Sequence, residues 1–82
     1  MDIVFYEHNL PTIPGHYDLH NGIIYQVEYE FTAWYFGGSL HKLDKPAVEW
    51  KDGTKDWYYH GTYVNVSSQE EFEQWLKYKT FL

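Results

Sequence analysis

The side chains that could carry chemistry in this 82-residue chain are five histidines, twelve carboxylates and nine tyrosines, and their spacing allows only a few sites. His16, Asp18 and His20 alternate. On an extended segment they would bring two imidazoles and a carboxylate to one face, a donor set suited to a divalent metal. The flanking Pro14-Gly15 and Asn21-Gly22 pairs favour a solvated loop instead, so no metal is expected there. Glu28 and Glu30 share a strand face about 7 Å apart, but a glycosidase pair must flank a cleft that so small a domain hardly provides. His41 follows one turn and His60 lies within another, with no nucleophile and no orienting acid to complete a triad, and His8 stands alone. Gly37-Gly38 reads as a turn rather than a phosphate cradle. Without cysteine there is no thiolate ligand, thiol nucleophile or disulfide. The chain is therefore expected to be no enzyme and to hold no cofactor.

Binding is what remains. Strand alternation should turn some of Tyr35, Tyr58, Tyr59 and Tyr63 away from a core, and exposed tyrosine is typical of interface anchors. The charge is unevenly placed: residues 1–41 contain Asp2, Glu7, Asp18, Glu28 and Glu30 with no Lys or Arg, while all six lysines follow, and the net charge is −6. A field of this kind attracts cationic surfaces. Arginine is absent, which removes the best bidentate phosphate ligand and disfavours direct nucleic-acid binding. The expected partner-binding set is Asp18, Glu28, Glu30, Tyr35 and Tyr58.

The elements that must position these residues are legible from pattern. Ile3–Tyr6 is a short apolar run that could be a first strand, closed by Asn9, Pro11, Pro14 and Gly15. Residues 23–31 alternate, with Ile23, Tyr25, Val27, Tyr29 and Phe31 on one face and Gln26, Glu28 and Glu30 on the other. Asp52-Gly53 separates paired strands at 47–51 and 55–60 through a two-residue turn, and 62–66 alternates again. Ser67 and Ser68 precede Glu70 and Glu71 with capping-box spacing, so a helix is expected over 68–79, its Phe72, Trp75 and Leu76 facing a core. The N-terminus lacks a basic, apolar leader and no run is long enough to span a membrane, so the expected site of action is a cytoplasm.

The chain also matches itself. At an offset of 23 residues Trp34-Tyr35-Phe36-Gly37-Gly38-Ser39 aligns with Trp57-Tyr58-Tyr59-His60-Gly61-Thr62, and upstream Tyr25 and Val27 align with Val48 and Trp50. Two tandem hairpin units, about 23–43 and 46–66, are implied within one domain spanning 1–82. Trp34 and Trp57 are then equivalent core positions.

The stretch from Leu40 to Gly61, with His41-Lys42, Lys45-Pro46-Ala47, Asp52-Gly53 and Trp57-Tyr58-Tyr59-His60-Gly61, resembles a MORN-like hairpin repeat of small bacteriophage proteins. That repeat runs His-Arg-x-x-Gly-Pro-Ala, then Asp-Gly, then Trp-Tyr-x-Asn-Gly, and Ser67–Phe72 resembles the short helix that often closes such proteins. Lys42 replaces its Arg, Lys45 its Gly and His60 its Asn. The fold expected is α+β, a small antiparallel sheet of five or six strands from tandem β-hairpin repeats with one C-terminal helix. The resemblance implies a phage accessory protein of the host cytoplasm that binds and inhibits a host protein, such as a defence or regulatory factor. A basic or nucleic-acid-binding protein is the partner that the charge favours, with no nucleic acid or membrane bound directly. The alternatives are an oligomeric module sequestering a nucleotide signal and a small structural protein of the virion.

Overall fold

The computed structural model describes the backbone of residues 5–81 and the side chains of 5–79. Seven strands and one helix follow in order: β1 (Gly15–Asp18), β2 (Ile23–Val27), β3 (Phe31–Phe36), β4 (Ser39–Leu40), β5 (Val48–Trp50), β6 (Lys55–Tyr59), β7 (Thr62–Val64) and α1 (Gln69–Phe81). All pairings are antiparallel, in the order β1-β2-β3-β5-β6-β7, with β4 pairing the end of β3. The fold is thus α+β, an antiparallel sheet of hairpin-like pairs closed by a C-terminal helix.

The two units are visible as β2-β3-β4 and β5-β6-β7. Each ends in a tight turn with two successive positive φ angles, Gly37 (60°) and Gly38 (88°) in the first, His60 (45°) and Gly61 (85°) in the second. Such turns match the right-handed twist of the strands they join. The first hairpin of each unit differs. Between β2 and β3 only Tyr29 and Glu30 form the loop, Glu28 N–H donating to the Phe31 carbonyl at 2.9 Å. Between β5 and β6 the loop holds three residues, with Trp50 N–H donating to the Thr54 carbonyl at 2.8 Å and Gly53 at φ 94°. Asp52-Gly53 is therefore not the two-residue turn expected. Asp52 has no positive φ, and its carboxylate accepts the Thr54 N–H at 2.8 Å; hydrogen bonding from the Thr54 side chain first, then from its N–H, holds the Asp52 pKa below the ordinary value.

That extra residue shifts the register. Tyr25 faces Trp34, whereas Val48 faces Asp56 rather than Trp57, so the 23-residue offset holds for β3 against β6 but not for β2 against β5. Val27 is buried and Trp50 is not. The strand expected at 23–31 likewise ends at Val27, because Glu28–Phe31 turns back on itself, and Tyr29 lies exposed at the turn. Conversely, 15–18 is a strand where a loop was expected: Gly15–Asp18 pairs with Ile24–Val27 along the edge of the sheet. Of the first strand expected at 3–6, Ile3 and Val4 lie outside the described residues, and Phe5 and Tyr6 are not in a strand.

Because side chains alternate across a strand, this register sorts the sheet into two faces. One carries Tyr17, Tyr25, Val27 and Trp34, then Trp57, Tyr59 and Val64. It is covered twice. Phe5, Leu10 and Leu19 close over Tyr25, Val27 and Trp34, and α1 closes over Trp57 and Val64 with Phe72, Trp75 and Leu76. Two cores therefore lie side by side on one face, and the molecule is drawn out to 45 × 29 × 20 Å with a radius of gyration of 13.4 Å. A compact chain of this length would have about 12 Å.

Sequence explains the helix start. Ser68 Oγ accepts the Glu71 N–H at 3.1 Å, while the Glu71 carboxylate reaches back to the Ser67 N–H and hydroxyl, contacts that lower the Glu71 pKa. Gln69 then pins the helix to the sheet, accepting from the Trp57 indole N–H at 2.7 Å and donating to the Leu43 carbonyl at 2.9 Å.

Trp34 and Trp57 are 3% and 4% exposed, each at the centre of its own cluster. Trp34→Ala and Trp57→Ala should each cost about 3–5 kcal/mol in urea denaturation. Melting of both variants within a few degrees of wild type would remove these residues from the core.

Candidate functional site

Nothing described packs on the opposite face of the sheet. The register places His16, Asp18, Ile24, Gln26, Phe31, Ala33, Tyr35, Val48, Trp50, Asp56, Tyr58 and Tyr63 on it. Ala33 and Val48 are buried beneath their neighbours. Around them rings and polar atoms form a surface rather than a second core. Phe31 and Trp50 meet with centroids 5.1 Å apart, and Tyr58 and Tyr63 meet edge to face at 5.5 Å. Trp50 is 39% exposed and Tyr63 51%.

The polar groups on this face are held in place. The Tyr35 hydroxyl donates to Gln26 Oε1 at 2.8 Å, and Gln26 Nε2 donates to Glu28 at 2.9 Å, a chain that orients one tyrosine and one carboxylate together. The Trp50 indole N–H donates to Asp56 at 2.8 Å. Asp18 accepts the His20 N–H at 2.8 Å and closes the β1–β2 turn at the edge of the face. Such bonds reduce the side-chain entropy that a partner would otherwise have to remove on binding.

None of the six lysines occupies a strand position on this face. Lys42 and Lys45 lie over the Trp34 ring, with ammonium-to-centroid distances of 4.4 and 5.3 Å, and Lys42 is paired with Glu7 and Asp44. Lys51 lies over Tyr29 at 4.8 Å, Lys55 is on the opposite face, and Lys77 and Lys79 are in α1. The strand positions of the face are thus aromatic and acidic, with Lys51 at its border beside Glu28, Phe31 and Trp50.

No known protein family, curated protein or solved structure matches the chain.

Of the five residues expected to bind a partner, Asp18, Tyr35 and Tyr58 share the uncovered face, and Glu28 is drawn to it by Gln26. Glu30 is not on it. It sits at the β2–β3 turn, where its carbonyl accepts the Lys51 N–H at 2.7 Å. Tyr63, one of the tyrosines that alternation could turn outward, is on the face, whereas Trp50 and Asp56 were not anticipated. The alternations Trp50/Val48 and Asp56/Tyr58 would have shown them, but only once the three-residue loop had set which face was which. Tyr59 points to the covered face, against Trp75.

A second cluster joins the two histidines that form no triad. His41 and His60 stack with centroids 3.9 Å apart and planes 16° apart, and the His60 backbone N–H donates to His41 Nδ1 at 2.9 Å. Beside them Ile23, Phe36, His41, Lys42, Leu43 and Asp44 line an open cavity of about 310 Å³. Lys42 offers this cavity no free positive charge, since Glu7 and Asp44 hold it.

His16 and Asp18 do alternate on a strand, but His20 has left it for a turn with φ 71°, and no group of three potential metal ligands forms among the described residues. Added Zn²⁺ or EDTA should therefore leave the thermal midpoint unchanged. A fall with EDTA that Zn²⁺ restores would return His16, Asp18 and His20 to the role of ligands.

Proposed function

We propose that the protein is a non-catalytic binding module that docks a cationic protein surface on its uncovered sheet face. The observation that carries this reading is the composition of the face: five rings, Phe31, Tyr35, Trp50, Tyr58 and Tyr63, interspersed with Asp18, Glu28 and Asp56, with no lysine at its strand positions. Rings supply apolar area at low entropic cost and bind Lys or Arg side chains over their faces, while the carboxylates steer approach. The sheet itself gives the rigidity a docking surface needs, because the other face carries both cores.

The repeat resemblance sets this activity in a phage-infected cell, where the partner is a basic host protein and binding inhibits it. No described helix is long and apolar enough to cross a membrane, which fits this setting without establishing it. The resemblance and the face support the reading independently: the first concerns the setting, the second the chemistry.

Tagged protein should recover a basic partner from host lysate at low salt. Its association rate should fall several-fold as ionic strength rises to physiological values. The Glu28→Gln/Glu30→Gln variant should slow association without lowering the thermal midpoint, whereas Tyr58→Ala should act on dissociation. Association indifferent to salt and to the double variant would leave the carboxylates as solubilising groups only.

A further inference from the structure

We propose that the stacked His41–His60 pair is a proton-operated latch between the two hairpin units, closed while His41 Nδ1 is an acceptor and released when His41 is protonated. Besides the bond from Gln69 of α1 to the Leu43 carbonyl, the strands of the two units are joined in two places. At one, the β3–β5 ladder is extended by Trp34 N–H donating to the Ala47 carbonyl and Lys51 N–H to the Glu30 carbonyl, both at 2.7 Å. These are backbone bonds that no proton in this pH range can alter. At the other, beside β4, the β6–β7 turn is held by Gly61 N–H donating to the Leu40 carbonyl at 2.8 Å and by His60 N–H donating to His41 Nδ1.

The second joint requires an unprotonated Nδ1, because a nitrogen that accepts a hydrogen bond cannot carry a proton. Protonation removes the acceptor and turns it into a donor facing a donor. It also places a cation 3.9 Å, ring to ring, from a second imidazole. The surroundings resist that charge. Phe36 and Tyr59 pack against His41 with centroids at 6.0 and 5.2 Å, and Lys42 is its chain neighbour. Behind Tyr59, Lys79 of α1 lies 5.1 Å from the tyrosine ring. The nearby acids, Glu7 and Asp44, are committed to Lys42. In agreement, burial first, then His60 and Lys42, depress the His41 pKa from 6.5.

The sign follows by linkage. With the folded-state pKa below the unfolded value, the opened form binds the proton more tightly, so the latch is fully closed above about pH 6.5 and is lost as pH falls through the depressed value. The β3–β5 ladder acts as the hinge.

Amide exchange followed by NMR between about pH 7.5 and about pH 5 tests this, with protection factors corrected for intrinsic exchange. The His60 and Gly61 amides should lose protection by up to about tenfold for each pH unit between about pH 6.5 and the depressed His41 midpoint and level off below it, and the Trp34 amide should keep its own. The His41 imidazole should titrate below 6.5 in the same spectra. His41→Phe keeps a ring against His60 but removes the Nδ1 acceptor, and in it the pH dependence at Gly61 should vanish. Flat protection at His60 and Gly61 in the wild type overturns the latch, as does parallel loss at Trp34. The wild-type measurement decides the matter even if the variant does not fold.

Discussion

Burial of Trp34 and Trp57 on the same face of one sheet is the constraint from which the rest of the structure follows. Each indole is too large to be covered by a neighbouring strand, so each needs a lid. The chain supplies one from each end: the segment carrying Phe5, Leu10 and Leu19 over the first, α1 over the second. Both covers thus lie on one face. Among the described residues no element covers the other, where Trp50 and Tyr63 are exposed and Phe31, Tyr35 and Tyr58 half-buried. At this size only about 60% of the unfolded surface can be buried, and here that burial is one-sided.

One-sidedness also explains the elongated shape. A sheet packed on both faces would gather its core into one layer centred on the strands. Here two small cores sit side by side, one per unit, and the main link between them is the three-residue β3–β5 ladder. Stability should therefore be local, each unit carrying much of its own, which is the setting in which a subsidiary joint can open without global unfolding.

Much of this was legible in the sequence, and the failures share a cause. The helix was readable because Ser68, Glu71 and the Phe72/Trp75/Leu76 spacing all point the same way. The repeated turns were readable because glycine at Gly38 and Gly61 permits the backbone they need. What sequence could not show was register. Alternation through residues 23–31 continues across a two-residue loop that lacks glycine or proline, so Tyr29 and Phe31 looked like strand positions when the chain had already reversed at Glu28. One additional residue in the Lys51–Gly53 loop then put Val48 and Trp50 out of phase with Tyr25 and Val27. Edge strand β1 was hidden because only one of its sides is paired and its His16 and Asp18 face solvent, as loop residues do. Among the site residues, Tyr35 and Tyr58 lie within the repeated motif and were found by alternation; Glu30 was misplaced by the same missed reversal.

The most informative departure from the repeat is at His60. Its counterpart in the first unit is Gly37, and both sit at positive φ, 60° for the glycine and 45° for the histidine. Glycine adopts that backbone freely, whereas a residue with a Cβ pays roughly 1–2 kcal/mol for it. Histidine is among the side chains that enter this region more often than most, but nothing in the turn itself demands it. The contacts around it show what offsets the strain: its ring covers His41, its edge meets Phe36 and Tyr59, and its N–H fills the His41 lone pair. Each of these reaches across to the other unit or to the ring beside it, and the N–H and stacking contacts work only while His41 is neutral. A glycine in this place would relieve the backbone and keep the Gly61 bond, yet leave the junction without its stack. The strain at one residue is thus tied to a contact between units, and a position that duplication alone would have left permissive has become the one at which the two halves respond to protons.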